Sequence, residues 1–247
     1  MKNILYILAI SIIIGSCSSK DSAVGPNSNT GKGGSTARFT IANNTLYIVD
    51  NQSLRVFNIT DPTNPTYIKK VPLNTVVETI FPFNNHLLIG TQTGMFIFNI
   101  SNPESPQKVS VFTHVVSCDP VVAEGDFAFV TLRSGTACNR GINVLDVIDI
   151  KNLGAPKLVK SYPMLSPHGL GVDGNLLFVT EGVNGMKVFD RTNPLDLKEI
   201  TTFKDFNAVD VITDANTLIV TGSDGVYQYS YEDKKALKLL SKIPVEY

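Results

Sequence analysis

The sequence predicts an all-β protein, a β-propeller of about five four-stranded blades, preceded by a lipoprotein signal peptide and a flexible tether. Three observations carry that expectation. One hydrophobic block recurs with a single period. Each period repeats the same order of strands and turns. The first 36 residues have a composition that builds no core.

The recurring block comes first. Asn44-Thr45-Leu46-Tyr47-Ile48-Val49 returns as Asn85-His86-Leu87-Leu88-Ile89-Gly90, Asp126-Phe127-Ala128-Phe129-Val130-Thr131, Asn175-Leu176-Leu177-Phe178-Val179-Thr180 and Asn216-Thr217-Leu218-Ile219-Val220-Thr221. A repeat of about 40 residues marks a solenoid or a propeller, and segments that nearly all read as strand favour the propeller. Within each unit a short apolar strand precedes the block, as in Leu170-Gly171-Val172. The two are joined by a turn such as Asn43-Asn44 or Asp173-Gly174-Asn175, whose residues accept tight-turn backbone at little steric cost. A third strand alternates with period two, as in Met95-Phe96-Ile97-Phe98-Asn99-Ile100. A proline-marked turn such as Asn102-Pro103-Glu104-Ser105-Pro106 then leads to an outer edge strand, where a missing N–H is tolerated.

This order of aliphatic strand, Val-Phe-Asp-like strand and Asn-Pro-x-x-Pro turn resembles the LVIVD repeat. The resemblance covers residues 37 to 247 and implies a bacterial surface propeller, without implying a reaction. The expected blades are 37–74, 75–116, 117–165, 166–207 and 208–247. Ser230-Tyr231-Glu232-Asp233-Lys234-Lys235 lacks the double proline, so the last outer strand is the least specified. No outer strand is left over at the amino end, so blade 1 is expected to pack on blade 5 without a swapped strand, unless the tether supplies one.

The leader sets the compartment. Lys2 precedes an apolar run from Ile4 to Ile14, a length that suits a signal peptide and falls short of the ~20 residues of a membrane span. The run ends in Ile14-Gly15-Ser16-Cys17, which resembles a lipobox and implies cleavage after residue 16 and lipidation of Cys17. The alternative is an ordinary signal peptide with a chance cysteine. Several acyl chains anchor a protein stably, whereas one does so only marginally. Residues 17–36 are rich in Ser, Gly, Asn and Thr and read as a tether spanning ~25 Å on average. Ser18-Ser19-Lys20-Asp21 loosely resembles outer-leaflet sorting signals, so an outer-membrane lipoprotein, periplasmic or surface-exposed, is expected.

A net charge of −1, with both signs scattered, gives no reason to expect a nucleic-acid partner. Cofactors and metals are not expected, because the three histidines show no ligand spacing. The expected partners are the membrane, through the lipid, and a protein or glycan ligand.

Three sets of residues could carry chemistry. Cys118 and Cys138 remain after lipidation, and an even remainder in an oxidising compartment points to a disulfide; free thiols or a metal pair are the alternatives. Arg133 and Arg140 lie on the long loop of the third unit, as recognition residues or as solvated charges. In propeller register, Glu78, Asp119 and His168 start equivalent inner strands, with Arg38 and Asp210 one step along. Converging at the channel mouth, these groups could bind a polar ligand or shift one another's titration, or else satisfy backbone and water. A non-enzymatic binding or scaffolding propeller of the cell envelope is the leading reading. The rivals are a carbohydrate-active or lyase-type enzyme working at the channel mouth, and a structural spacer.

Overall fold

The computed structural model of the chain describes residues 33–113, 120–134 and 141–245. Each repeat folds as one antiparallel four-stranded sheet, and the five sheets form a propeller ring. Blade 1 holds β1 (Phe39–Ala42), β2 (Thr45–Val49), β3 (Ser53–Asn58) and β4 (Thr66–Pro72). Blade 2 holds β5 (Val77–Phe83), β6 (His86–Thr91), β7 (Gly94–Asn99) and β8 (Gln107–Thr113). Blade 3 holds β9 (Val121–Glu124), β10 (Phe127–Leu132), β11 (Val144–Asp149) and β12 (Lys157–Pro163). Blade 4 holds β13 (Leu170–Asp173), β14 (Leu176–Thr180), β15 (Met186–Asp190) and β16 (Lys198–Phe203). Blade 5 holds β17 (Ala208–Asp214), β18 (Thr217–Gly222), β19 (Gly225–Ser230) and β20 (Lys238–Pro244). Strands pair in chain order, and among the described residues no sheet borrows a strand from its neighbour.

Local chemistry sets these elements. Asn43 and Asn44 hold φ of 51° and 56°, the left-handed pair that a two-residue hairpin turn needs. The Asn or Asp closing the third strand has a specific task. The side chains of Asn58, Asn99, Asp149 and Asp190 each accept the backbone N–H two residues on, at 2.8 to 2.9 Å. They end the strand by giving its backbone another partner. Third and fourth strands shift register at one place in all five blades, after Val56, Ile97, Val147, Val188 and Gln228. β20 is as long as its counterparts despite the missing prolines. Asp233 holds that turn by accepting the Lys235 N–H at 2.9 Å.

Period-two alternation divides the second strand of each inner blade between two cores. Leu87 and Ile89 pack with Tyr47, Val49 and Leu54 between blades 1 and 2, while Leu88 packs with Val121, Ala128 and Val130 between blades 2 and 3. Leu177 and Val179 face blade 3, whereas Leu176 and Phe178 face blade 5. Full burial of one such side chain contributes about 2 kcal/mol.

The seam between blades 5 and 1 is different. Among the described residues no cluster of buried apolar side chains crosses it. Leu46, Ile48 and Ile219 occupy the alternate positions of β2 and β18 and are only half-buried, and Phe39 is exposed. What spans the seam is polar. Ser35 Oγ and Thr36 Oγ1 donate to the Asp210 carboxylate at 2.9 and 2.5 Å.

Candidate functional site

Inner strands run side by side around the axis and bring their ends together. Gly169 N–H donates to Val209 O at 2.9 Å between blades 4 and 5, and Ile80 N–H donates to Ala37 O at 2.9 Å between blades 2 and 1. The middle of the channel, about 250 Å³, is lined by Phe81, Val122, Leu170, Val211 and their neighbours, Glu124, Asp173 and Thr213 among them. At its Glu124 and Asp173 end both carboxylates are engaged. Arg191 donates to Glu124 and Tyr231 donates to Asp173.

The opposite mouth is a cleft of about 90 Å³ lined by Thr36, Pro120, Arg133, Pro167, His168 and Val209. His168 stands just before β13, and Arg133 just after β10. Arg133 Nη1 lies 2.7 Å from His168 Nε2. A guanidinium only donates, so Nε2 accepts, and the ring proton sits on Nδ1, where it is donated to Ser166 O at 2.7 Å. Both ring nitrogens are thereby committed to a neutral tautomer. The His168 pKa lies below its ordinary value. Burial is the main cause, with the Arg133 charge adding to it against the Ser166 carbonyl and the Glu181 carboxylate.

Asp210 lies beneath, nine-tenths buried or more. Burial raises its pKa, opposed by the hydroxyls of Thr36 and Ser35 and by backbone N–H groups. It fits because residue 169 is glycine: a Cβ there would stand 2.0 Å from Asp210 Oδ1 and 2.7 Å from its Cα. Ser35 is fully buried and also accepts the Leu170 N–H at 2.7 Å, so one hydroxyl joins blades 4 and 5 to the chain entering blade 1.

The sequence-derived candidates thus separate. Arg133, expected as a loop residue, and His168, expected at the mouth, meet there. Asp210 is near but faces Ser35 and Thr36 rather than the cleft. Glu78, half-buried in β5, does not line the cleft, and the exposed Arg38 sits outside it. Neither Glu78 nor Asp210 is among the residues lining that cleft, and the Asp210 carboxylate accepts instead from Ser35 and Thr36. Cys17, Cys118, Asp119, Cys138 and Arg140 lie outside the described residues. Among the described residues no group of three His, Cys, Asp or Glu is placed to hold a metal ion.

Sequence reasoning passed over Ser35 and Thr36, which sit at the end of the segment read as tether. It also passed over Glu181, a buried glutamate just past β14 whose Oε1 accepts the Leu165 N–H at 2.6 Å. No spacing marks Ser35. For Glu181 the available signal is a carboxylate placed immediately after an apolar block.

Fold and site together define a five-bladed propeller whose axial mouth holds an arginine braced by a histidine. The LVIVD repeat family model matches residues 33–72 and 117–163, two segments that fall on blades 1 and 3. No curated protein matches it in sequence. Among solved structures it is similar to a protein from Lactobacillus plantarum, with 18% identity, a TM-score of 0.64, and coverage of 81% of this chain and 67% of that one. It is also similar to the periplasmic gluconolactonase PpgL of Pseudomonas aeruginosa, with 13% identity, a TM-score of 0.60, and coverage of 85% and 69%. A third likeness is to the computationally designed Ika8 protein, with 13% identity, a TM-score of 0.59, and coverage of 84% of this chain and 61% of that one. The chain therefore spans about six tenths of the length of the designed protein, and at these identities the likenesses show the fold alone.

Proposed function

We propose that this chain is a binding module of a bacterial cell envelope, lipidated on Cys17, whose ligand docks an anionic group against Arg133 at the axial mouth. The observation that carries the reading is the Arg133–His168 contact. It commits one donor of a guanidinium side chain that lines a cleft whose described lining includes no acidic side chain. A braced guanidinium loses less entropy on binding a carboxylate and makes charge-assisted hydrogen bonds to it. The Arg133 bond argues against catalysis by His168, because its one basic nitrogen, Nε2, already accepts from the guanidinium. The tether and lipid would set the mouth a short distance from the membrane.

The test is calorimetric titration of the mature chain with trigalacturonate and with a peptide ending in a free carboxylate, beside the matching neutral trisaccharide and peptide amide. One acidic ligand should bind, its neutral counterpart should not, and Arg133→Gln should weaken binding at least tenfold. Binding that survives Arg133→Gln would overturn the site. Hydrolysis of a sugar lactone that depends on His168 would replace it with the enzyme reading.

A further inference from the structure

We propose a second, separate site on blade 4: the cleft over β15 and β16 binds a neutral sugar through a pair of adjacent hydroxyls. The cleft measures about 320 Å³, at the small end of ligand pockets and suited to one sugar residue. Its floor is Glu181, whose side chain is 1% exposed. Glu181 Oε1 accepts from Leu165 N at 2.6 Å and Ser166 N at 3.4 Å. Glu181 Oε2 is buried and has no hydrogen-bond donor among the described residues. Native structures rarely leave a buried carboxylate oxygen in that condition, because the lost solvation is not recovered.

The surrounding charges say what could answer it. Lys187 Nζ lies 3.7 Å from Glu181 Oε2 and 3.6 Å from Glu199 Oε2, beyond hydrogen-bond reach of both. The ammonium already balances the buried carboxylate. Lys204 also lines the cleft, so an incoming cation would be repelled by Lys187 and Lys204, and an incoming anion by Glu181 and Glu199. A neutral group that both donates and accepts satisfies Glu181, Lys187 and Glu199 together. One hydroxyl donates to Glu181 Oε2 and accepts from Lys187 Nζ. The adjacent hydroxyl donates to Glu199 and accepts from the same ammonium. Beside them Val183 and Leu165 are 79% and 61% exposed, large apolar side chains placed to cover the ring's C–H face.

This reading is independent of the axial mouth, although Ser166 joins the two: its N–H reaches Glu181 and its carbonyl reaches His168. The test is an NMR titration of the ¹⁵N-labelled mature chain with the methyl glycosides of glucose, galactose, mannose and N-acetylglucosamine. At least one should shift the Leu165 and Ser166 amides saturably, and Glu181→Gln should weaken it tenfold or more. Glu199 is half-exposed, so Glu199→Gln reads binding without disturbing the core and should weaken it severalfold. Arg133→Gln should leave the sugar affinity unchanged, which separates this site from the axial one. The proposal is overturned if no glycoside moves those amides, which would leave the cleft merely hydrated. It is equally overturned if acetate or methylammonium moves them instead, or if sugar binding survives both substitutions.

Discussion

Replacing Ser35 with alanine should cost far more than a substitution at the end of a tether. Its hydroxyl donates to Asp210 Oδ1 at 2.9 Å and accepts from Leu170 N at 2.7 Å, and the side chain is fully buried. A hydrogen bond to a charged group contributes about 1.5–3 kcal/mol, and a buried N–H left unpaired costs about 1–3 kcal/mol. The two share one atom, so the lower half of their sum, about 3 kcal/mol, is the expectation. For a domain of this size that lowers the melting temperature by roughly 6–12 °C. Urea unfolding should show a lower midpoint with an unchanged slope, because the surface exposed on unfolding does not change. Thr36→Ala should cost only about 1 kcal/mol, since Thr36 is exposed. A Ser35→Ala and Asp210→Asn cycle should be non-additive by about 1 kcal/mol or more. A Ser35→Ala loss below about 0.5 kcal/mol, the size of an ordinary surface change, would refute the claim that these residues hold the ring together.

Further predictions concern the same mouth. Gly169→Ala should destabilise by about 2–3 kcal/mol in thermal unfolding, because the new methyl meets the Asp210 backbone as well as its side chain. The Asp210 pKa is raised on folding, so its native-state advantage is full below the unfolded value of about 3.9 and is lost as pH rises through the folded one. Asp210→Asn should flatten that part of the stability–pH curve in urea titrations. The His168 pKa is lowered on folding, so its contribution is full above about 6.5 and is lost as pH falls from there through the folded value. His168→Gln should remove that acid-side loss in the same measurement.

Much of the architecture was legible because each blade writes the same physical requirements into the chain. The unbroken apolar run Leu87-Leu88-Ile89 reports two buried faces, and the pairs at Asn43-Asn44 and Gly174-Asn175 report turns. The seam was not legible. Leu46, Ile48 and Ile219 are as apolar as their counterparts, so the sequence implied a fifth core where the structure has a polar staple. Ser35 is hidden for a related reason. A serine in a Ser/Gly-rich segment reads as solvent-exposed, and only the return of Asp210 from 175 residues away gives it a partner. At the mouth, inner-strand register placed His168 at the axis, yet register alone describes Cα positions. It could not say that Arg133 would reach His168 from the next blade, or that Asp210 would be occupied from beneath. Glu181 escaped because its partners are backbone N–H groups at 165 and 166, which no residue pattern announces.

On the proposed reading, Arg133, braced by His168, is the group that meets ligand. Side-chain NMR of the arginine- and histidine-labelled mature chain, titrated with trigalacturonate and the free-carboxylate peptide, tests it most directly. One of them should shift the Arg133 guanidinium saturably, while His168 stays neutral and protonated on Nδ1 at pH 7. An unmoved Arg133 beside a shifting Arg191, at the other end of the channel, would contradict it.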